Sequence, residues 1–184
     1  MNQSAKDMNL EELVKRAKKK DDASFTLLIH EIEDEMYSLA KMRLYEDDDI
    51  YEAMQNSIIL IYKNIKKLKD EKLFRTWAMR ILINESLKIL KKKKIDLDRY
   101  TVLDEKISAP NYKIDEIESK KNLDCLLRCL NKSEKIVMTL YYGKKYTTKD
   151  IAEILSESEG TVKSKISRAK VKIKKYIEEE HLYE

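Results

Sequence analysis

The 184-residue chain carries 38 basic and 34 acidic side chains, a net charge of +4, with only two glycines and one proline. Dinucleotide-binding fingerprints and phosphate loops need several glycines within a few residues, whereas Gly143 and Gly160 stand alone, so a Rossmann enzyme and a P-loop NTPase are excluded. So few turn formers beside so much Lys, Glu, Leu and Ile predict an all-α protein of one domain or two small ones.

No apolar run approaches the roughly 20 residues that span a bilayer. The opening MNQSAKDMNLEEL has no signal-peptide hydrophobic region, and a soluble, cytoplasmic protein is expected. Cys125 and Cys129 share a helix face by spacing, but the only histidines, His30 and His181, are remote in sequence. Two small thiols in a reducing compartment are the simpler reading, with no zinc framework and no cofactor.

In chain order, Asn9 and Glu12 resemble a capping box before the periodic Leu10, Leu13, Val14 and Ala17, predicting a first short helix. Phe25, Leu28, Ile29, Ile32, Met36 and Leu39 keep one period and predict a second, longer helix. Asp47 to Asp49 supply a cap and N-terminal negative charge for a third, with Ile50, Ala53, Met54, Ile58, Ile61 and Ile65 as its stripe. After the polar stretch Lys66 to Lys72, a fourth helix sets Phe74, Trp77, Ala78, Ile81 and Leu82 on one side and ends at Lys91 to Lys94. Periodicity then fails around Pro110, and residues 95–113 read as an interdomain linker.

Apolar spacing resumes at Ile114, Ile117, Leu123, Leu126, Leu127 and Leu130. Ser133 is placed to cap a helix bearing Ile136, Val137 and Leu140, with Gly143 as its C-terminal cap. Thr147 or Thr148 caps a short helix with Ile151, Ala152 and Leu155, and after Ser156 to Ser158 a last helix turns Val162, Ile166, Ala169, Ile173 and Ile177 inward.

Charge is uneven along the chain. Glu31 to Glu52 holds nine acids against Lys41 and Arg43, and suits a basic partner. Thr161 to Tyr176 holds seven bases and no acid, and suits a polyanion. A short helix with a small residue at Ala152, a tight turn and a second helix with a basic outer face is the pattern of a helix-turn-helix. Thr161, Lys163, Ser164, Ser167 and Arg168 fall outside the apolar stripe and can face a major groove, with Arg168 the foremost candidate for a base-edge contact.

The run Gly160-Thr161-Val162-Lys163-Ser164-Lys165-Ile166-Ser167-Arg168-Ala169-Lys170, preceded by Asp150-Ile151-Ala152-Glu153-Ile154-Leu155, resembles the C-terminal promoter-binding domain of bacterial sigma factors of the extracytoplasmic-function (ECF) type. Three N-terminal segments are similar to that family in the same order: Lys18 to Phe25, Glu52 to Asn56 with Ile61 to Asn64, and Phe74 to Asn84. The resemblance implies sigma region 2 over residues 1–94 and sigma region 4 over 114–184. It implies docking of Glu52, Gln55 and Asn56 on the clamp helices of the largest subunit of core RNA polymerase, with the polymerase flap as a further contact.

By the same resemblance, Lys69, Arg80, Asn84, Lys88 and Lys91 meet the −10 element, the loop and Asn84 taking its opened strand and the lysine run tracking phosphates. Thr161, Lys163, Ser164, Ser167 and Arg168 meet the −35 element. Trp77, in a stripe with Phe74 and Ile81, reads as a core residue bracing its helix. The family acts without catalysis of its own or a small-molecule substrate, serves stress or cell-envelope responses, and is held inactive by an anti-sigma factor, often membrane-anchored. The chain departs from the family at Leu130-Asn131, where Leu-Pro is usual, and at Lys135, where arginine is common, which predicts a looser helix start. A helix-turn-helix regulator acting without core polymerase is the alternative, and a protein-interaction adaptor would leave the basic last helix idle.

Overall fold

The computed structural model describes residues 9–100 and 129–180, and every regular element among them is helical. The chain divides into two compact units, Met1–Val102 and Leu103–Glu184. The part of the expected linker from residue 101 onward, the helix expected from Ile114 to Leu127, and Cys125 lie outside the described residues.

In the first unit α1 (Leu10–Lys18) starts on Asn9, whose side chain accepts from the Glu12 N–H at 2.9 Å. It ends at Lys20, which takes a left-handed φ of 67°. The Lys20 N–H donates to Ala17 O and the Asp21 N–H to Arg16 O, closing the helix as a left-handed cap does. The single long second helix expected from periodicity is two helices, α2 (Asp22–His30) and α3 (Glu33–Lys41). The break at Glu31 and Ile32 has no proline or glycine. It is held by a tertiary bond, Arg75 Nη1 donating at 3.1 Å to the Glu31 carbonyl, while Ile32 is buried at the kink.

α4 (Asp47–Asn64) starts at Glu46 without a side-chain cap, so Asp47 to Asp49 are first-turn residues rather than the expected cap. Their charge still suits the helix N-terminus. Two short 3-10 turns, Ile65–Lys67 and Glu71–Leu73, lead into α5 (Phe74–Tyr100). The expected stop at Lys94 is corrected: the helix runs to Tyr100, so 95–100 belong to it rather than to a linker. α5 packs along α4, burying Phe74, Ala78, Met79, Leu82 and Ile83 against a face with Ile50, Ala53, Ser57 and Ile61. Ser57 and Ser86 are fully buried because each hydroxyl donates to a carbonyl one turn back, Ala53 O at 2.6 Å and Leu82 O at 2.9 Å. They therefore pack as small residues and let the backbones approach.

The second unit contains α6 (Lys132–Met138), a π-helical turn (Thr139–Gly143), α7 (Thr148–Leu155) and α8 (Glu159–Glu180). Asn131, not Ser133, caps α6: its side chain accepts from the Glu134 N–H, and Glu134 accepts from the Asn131 N–H. The departure from the family's proline thus gives a full capping box rather than a loose start. Gly143 ends the π turn at negative φ and is not the expected left-handed cap. Leu130, Ile136, Val137, Leu140, Ile151, Ile154, Val162, Ile166 and Ala169 form the core, whereas Ile177, expected inward, is 36% exposed.

Candidate nucleic-acid interface

The helix-turn-helix is built from α7 and α8. Thr147 caps α7 by a reciprocal box with Asp150. Ala152 is buried, as a close crossing requires, and Val162 is fully buried below the turn. The turn is closed at Ser156, whose φ is 55°, with the Glu157 N–H donating to Ala152 O at 2.9 Å and the Ser156 N–H to Glu153 O at 3.2 Å. Ser158 then begins α8, its hydroxyl oxygen accepting from the Thr161 N–H at 3.1 Å. Across the turn Thr148 donates to Glu159 Oε1 at 2.7 Å, so the two helices are tied at their N-terminal ends.

Thr161, Lys163, Ser164, Ser167 and Arg168 are all exposed on α8, together on the face opposite its buried stripe. Val171 continues the line of Ser164 and Arg168 one turn on and is 66% exposed, an apolar member of this face that the reading of bases alone missed. Two of the seven bases are paired with carboxylates of other segments. Lys165 Nζ donates to both oxygens of Glu157 at 2.6 and 2.7 Å, and Lys172 Nζ to both of Glu134 at 2.8 and 2.9 Å. Burial raises the Glu134 carboxyl, but the Lys172 bond, the Asn131 N–H and the charges of Lys172 and Arg168 together hold it below the ordinary range. Lys163 lies 2.9 Å from Glu159, whose carboxyl is lowered first by that lysine and then by Thr148.

In the first unit Arg80, Asn84, Lys88 and Lys91 form one exposed ridge along α5, between broad buried flanks. Lys88 pairs with Glu85 at 2.6 Å, and Lys93 crosses to the buried Asp49 of α4 at 2.5 Å. Lys69 is exposed in the loop between the two 3-10 turns. Trp77 is half-buried beside Phe74, ring centroids 6.3 Å apart, so it braces the helix from its rim rather than from the centre.

On α4, Glu52 and Gln55 are exposed and Asn56 is half-buried. They share their face with Ile59 and Tyr62, about half exposed, which charge patterning did not reveal. Tyr62 is pinned edge-on to Phe25 at 5.0 Å and donates to Asp22 at 3.0 Å, a bond that pushes its phenol above the ordinary value. The acidic segment is partly neutralised from within: besides Asp49, Glu35 is buried against Arg75 at 3.2 Å, and Arg75 also lies 3.8 Å from Glu31.

The sigma-70 region 4 family matches residues 120–173, which include α7, the turn and the first two-thirds of α8. The chain is 24% identical to the ECF RNA polymerase sigma factor SigW of Bacillus subtilis over 93% of this chain and 98% of that one. It is 26% identical to the ECF RNA polymerase sigma-E factor of Haemophilus influenzae over 90% and 94%. The chain is thus similar to ECF sigma factors along nearly its whole length, and its region 4 match lies in the second unit. The fold agrees: the sigma factor RpoE of Bartonella quintana, solved with the anti-sigma factor NepR, superposes with a TM-score of 0.64 at 16% identity, covering 84% of this chain and 96% of that one. The exposed residues Thr161 to Arg168 of α8 fall within the region 4 match. No helix among the described residues is long and apolar enough to cross a membrane.

Proposed function

We propose that the chain is a sigma factor that, without catalysis of its own, brings core RNA polymerase to a promoter and helps open it. The exposed face of α8 that carries Lys163, Ser164, Ser167 and Arg168, on a tightly capped helix-turn-helix, is the observation that carries this reading. Region 4, over residues 114–184, reads the −35 element through Thr161, Lys163, Ser164, Ser167 and Arg168. Region 2, over 1–94, docks on polymerase through Glu52, Gln55 and Asn56, with Ile59 and Tyr62 adding apolar area to the same face. Its α5 ridge and loop, with Lys69, Arg80, Asn84, Lys88 and Lys91, hold the −10 element.

An exposed base edge is available for hydrogen bonding once the strand is open, which suits capture by a loop and a polar ridge. Each contact is weak alone, and covalent joining of the two units raises the effective concentration of the second. A cytoplasmic location follows from these partners. An anti-sigma factor is the expected regulator, and the sigma factor RpoE, which shares this fold, was solved in complex with the anti-sigma factor NepR.

Core polymerase mixed with the purified protein and genomic promoters is expected to start specific transcripts. Arg168→Ala is expected to cut −35-dependent binding by about 1–3 kcal/mol while leaving association with core intact. Tight operator binding by the protein alone, with neither core binding nor initiation, would identify a polymerase-independent regulator instead.

A further inference from the structure

We propose that the C-terminal end of α1 and the loop preceding α5 form one polyanion-binding surface that takes the phosphate backbone of the single DNA strand beyond the segment held at the −10 contact. The inference rests on the promoter-opening role proposed above.

The two segments lie 53 residues apart at their link, Lys18 Nζ donating to Glu71 Oε1 at 2.5 Å, and α1 packs on both short turns of the loop. The Glu71 carboxyl is held below the ordinary range chiefly by Lys18, with Lys15 contributing its charge, so the base of α1 that stays exposed also lies near the loop. The fold thereby gathers Lys15, Lys19 and Lys20 on one side and Lys66, Lys67 and Lys69 on the other, all exposed and none ion-paired with another described residue.

The neighbouring acids already have structural partners. Glu12 lies 3.6 Å from Arg16, Asp21 caps Ser24, Asp22 accepts from Tyr62 and Asp70 accepts from the Lys72 N–H. The chemistry of the patch selects the ligand. It is made of lysines, point charges without the fork that reads a base bidentately, and residues 15–20 and 66–72 contain no aromatic ring on which a base could stack. Phosphates are therefore the groups it can bind. Lys69 belongs to both this patch and the proposed −10 contact, so the strand leaving that contact is the nearest polyanion. An acidic protein surface would meet the same lysines, and the test separates the two.

Holoenzyme is formed from core polymerase with the full-length protein or with Lys15→Gln/Lys19→Gln/Lys20→Gln. Binding is measured to a single-stranded −10 oligonucleotide from a promoter the wild-type holoenzyme has selected, and to the same oligonucleotide lengthened by about five nucleotides on its 5′ or its 3′ side. One extension is expected to raise wild-type affinity. Three single-strand phosphate contacts steepen the salt slope by roughly 2, so this gain falls about 20-fold between 50 and 200 mM salt. The triple glutamine variant is expected to bind the short oligonucleotide as wild type does and to lose the gain, and Lys15→Arg/Lys19→Arg/Lys20→Arg to keep it. Retention of the full gain by the glutamine variant overturns the proposal. So does a loss of core binding in that variant, which would make the patch a protein-docking surface. Wild-type holoenzyme that selects no promoter overturns the promoter-opening role, and this inference with it.

Discussion

Three residues among those described adopt a left-handed backbone, Lys20, Lys145 and Ser156, and none is a glycine, while Gly143 and Gly160 are both at negative φ. A Cβ on Gly143 would meet Thr139 Cγ2 at an ordinary 3.5 Å, and one on Gly160 has open space. At Ser156 an L side chain is held where glycine is the usual occupant of a helix end. Ser156→Gly is expected to raise the stability of the second unit by about 1 kcal/mol, read as a higher melting temperature, with the turn geometry retained. This is where local sequence rules were least informative. They place a turn at Ser156 to Ser158 from polarity, but not which residue goes left-handed, because closure by the Glu157 and Ser156 N–H groups depends on how α7 and α8 cross. Asn131 was hidden for a related reason: Ser133 is an equally good cap by type, and the Glu134 reciprocal bond decides between them.

At the scale of elements, the buried stripes of α1, α4, α5 and α8 were legible because periodicity is a local signal that burial then obeys. What periodicity could not show is where a helix breaks under a tertiary contact, as when Arg75 takes the Glu31 carbonyl between α2 and α3. Nor could it show which lysines of α8 pair with carboxylates of other segments. The tie between Glu134 and Lys172 fixes the distal part of α8 to the start of α6, and it has a pH signature. Because the folded carboxyl is depressed below its ordinary value, its stabilisation is fully present above the normal glutamate range and is lost as pH falls through the depressed value. Glu134→Gln keeps a capping side chain but loses the charge pair. It is expected to destabilise the second unit by about 1–2 kcal/mol at neutral pH. Denaturant melts across pH should show the gap between wild type and variant constant above about pH 5 and shrinking below about pH 4.

Across the whole molecule, a net charge of +4 conceals a division of labour. Glu35, Asp49 and Glu134 are buried and each holds a base from another element, so part of the charge acts as internal bracing. Other bases lie exposed on the outer face of α8, the α5 ridge and around the end of α1. Family and architecture were legible from motif order, since several segments in sequence each kept their spacing. The α1 patch was not, because its halves meet only when the chain folds.

One contact bears on how α8 would meet DNA. Glu159 Oε1 sits at the helix N-terminus, accepts a hydrogen bond from the Thr148 hydroxyl and pairs with Lys163, the arrangement a backbone phosphate would want there. The free protein thus carries its own substitute anion, and in the proposed −35 contact DNA binding would exchange one negative group for another. A lysine whose charge is already matched by a carboxylate neutralises no phosphate net and so displaces no cation condensed on the DNA, and the salt dependence of −35 binding should count fewer phosphates than α8 has exposed bases. Glu159→Gln removes the internal competitor. Salt titrations of duplex binding are expected to show tighter binding and a slope steeper by roughly 0.9, the signature of a helix that holds its DNA-facing charge in reserve until a phosphate displaces a carboxylate.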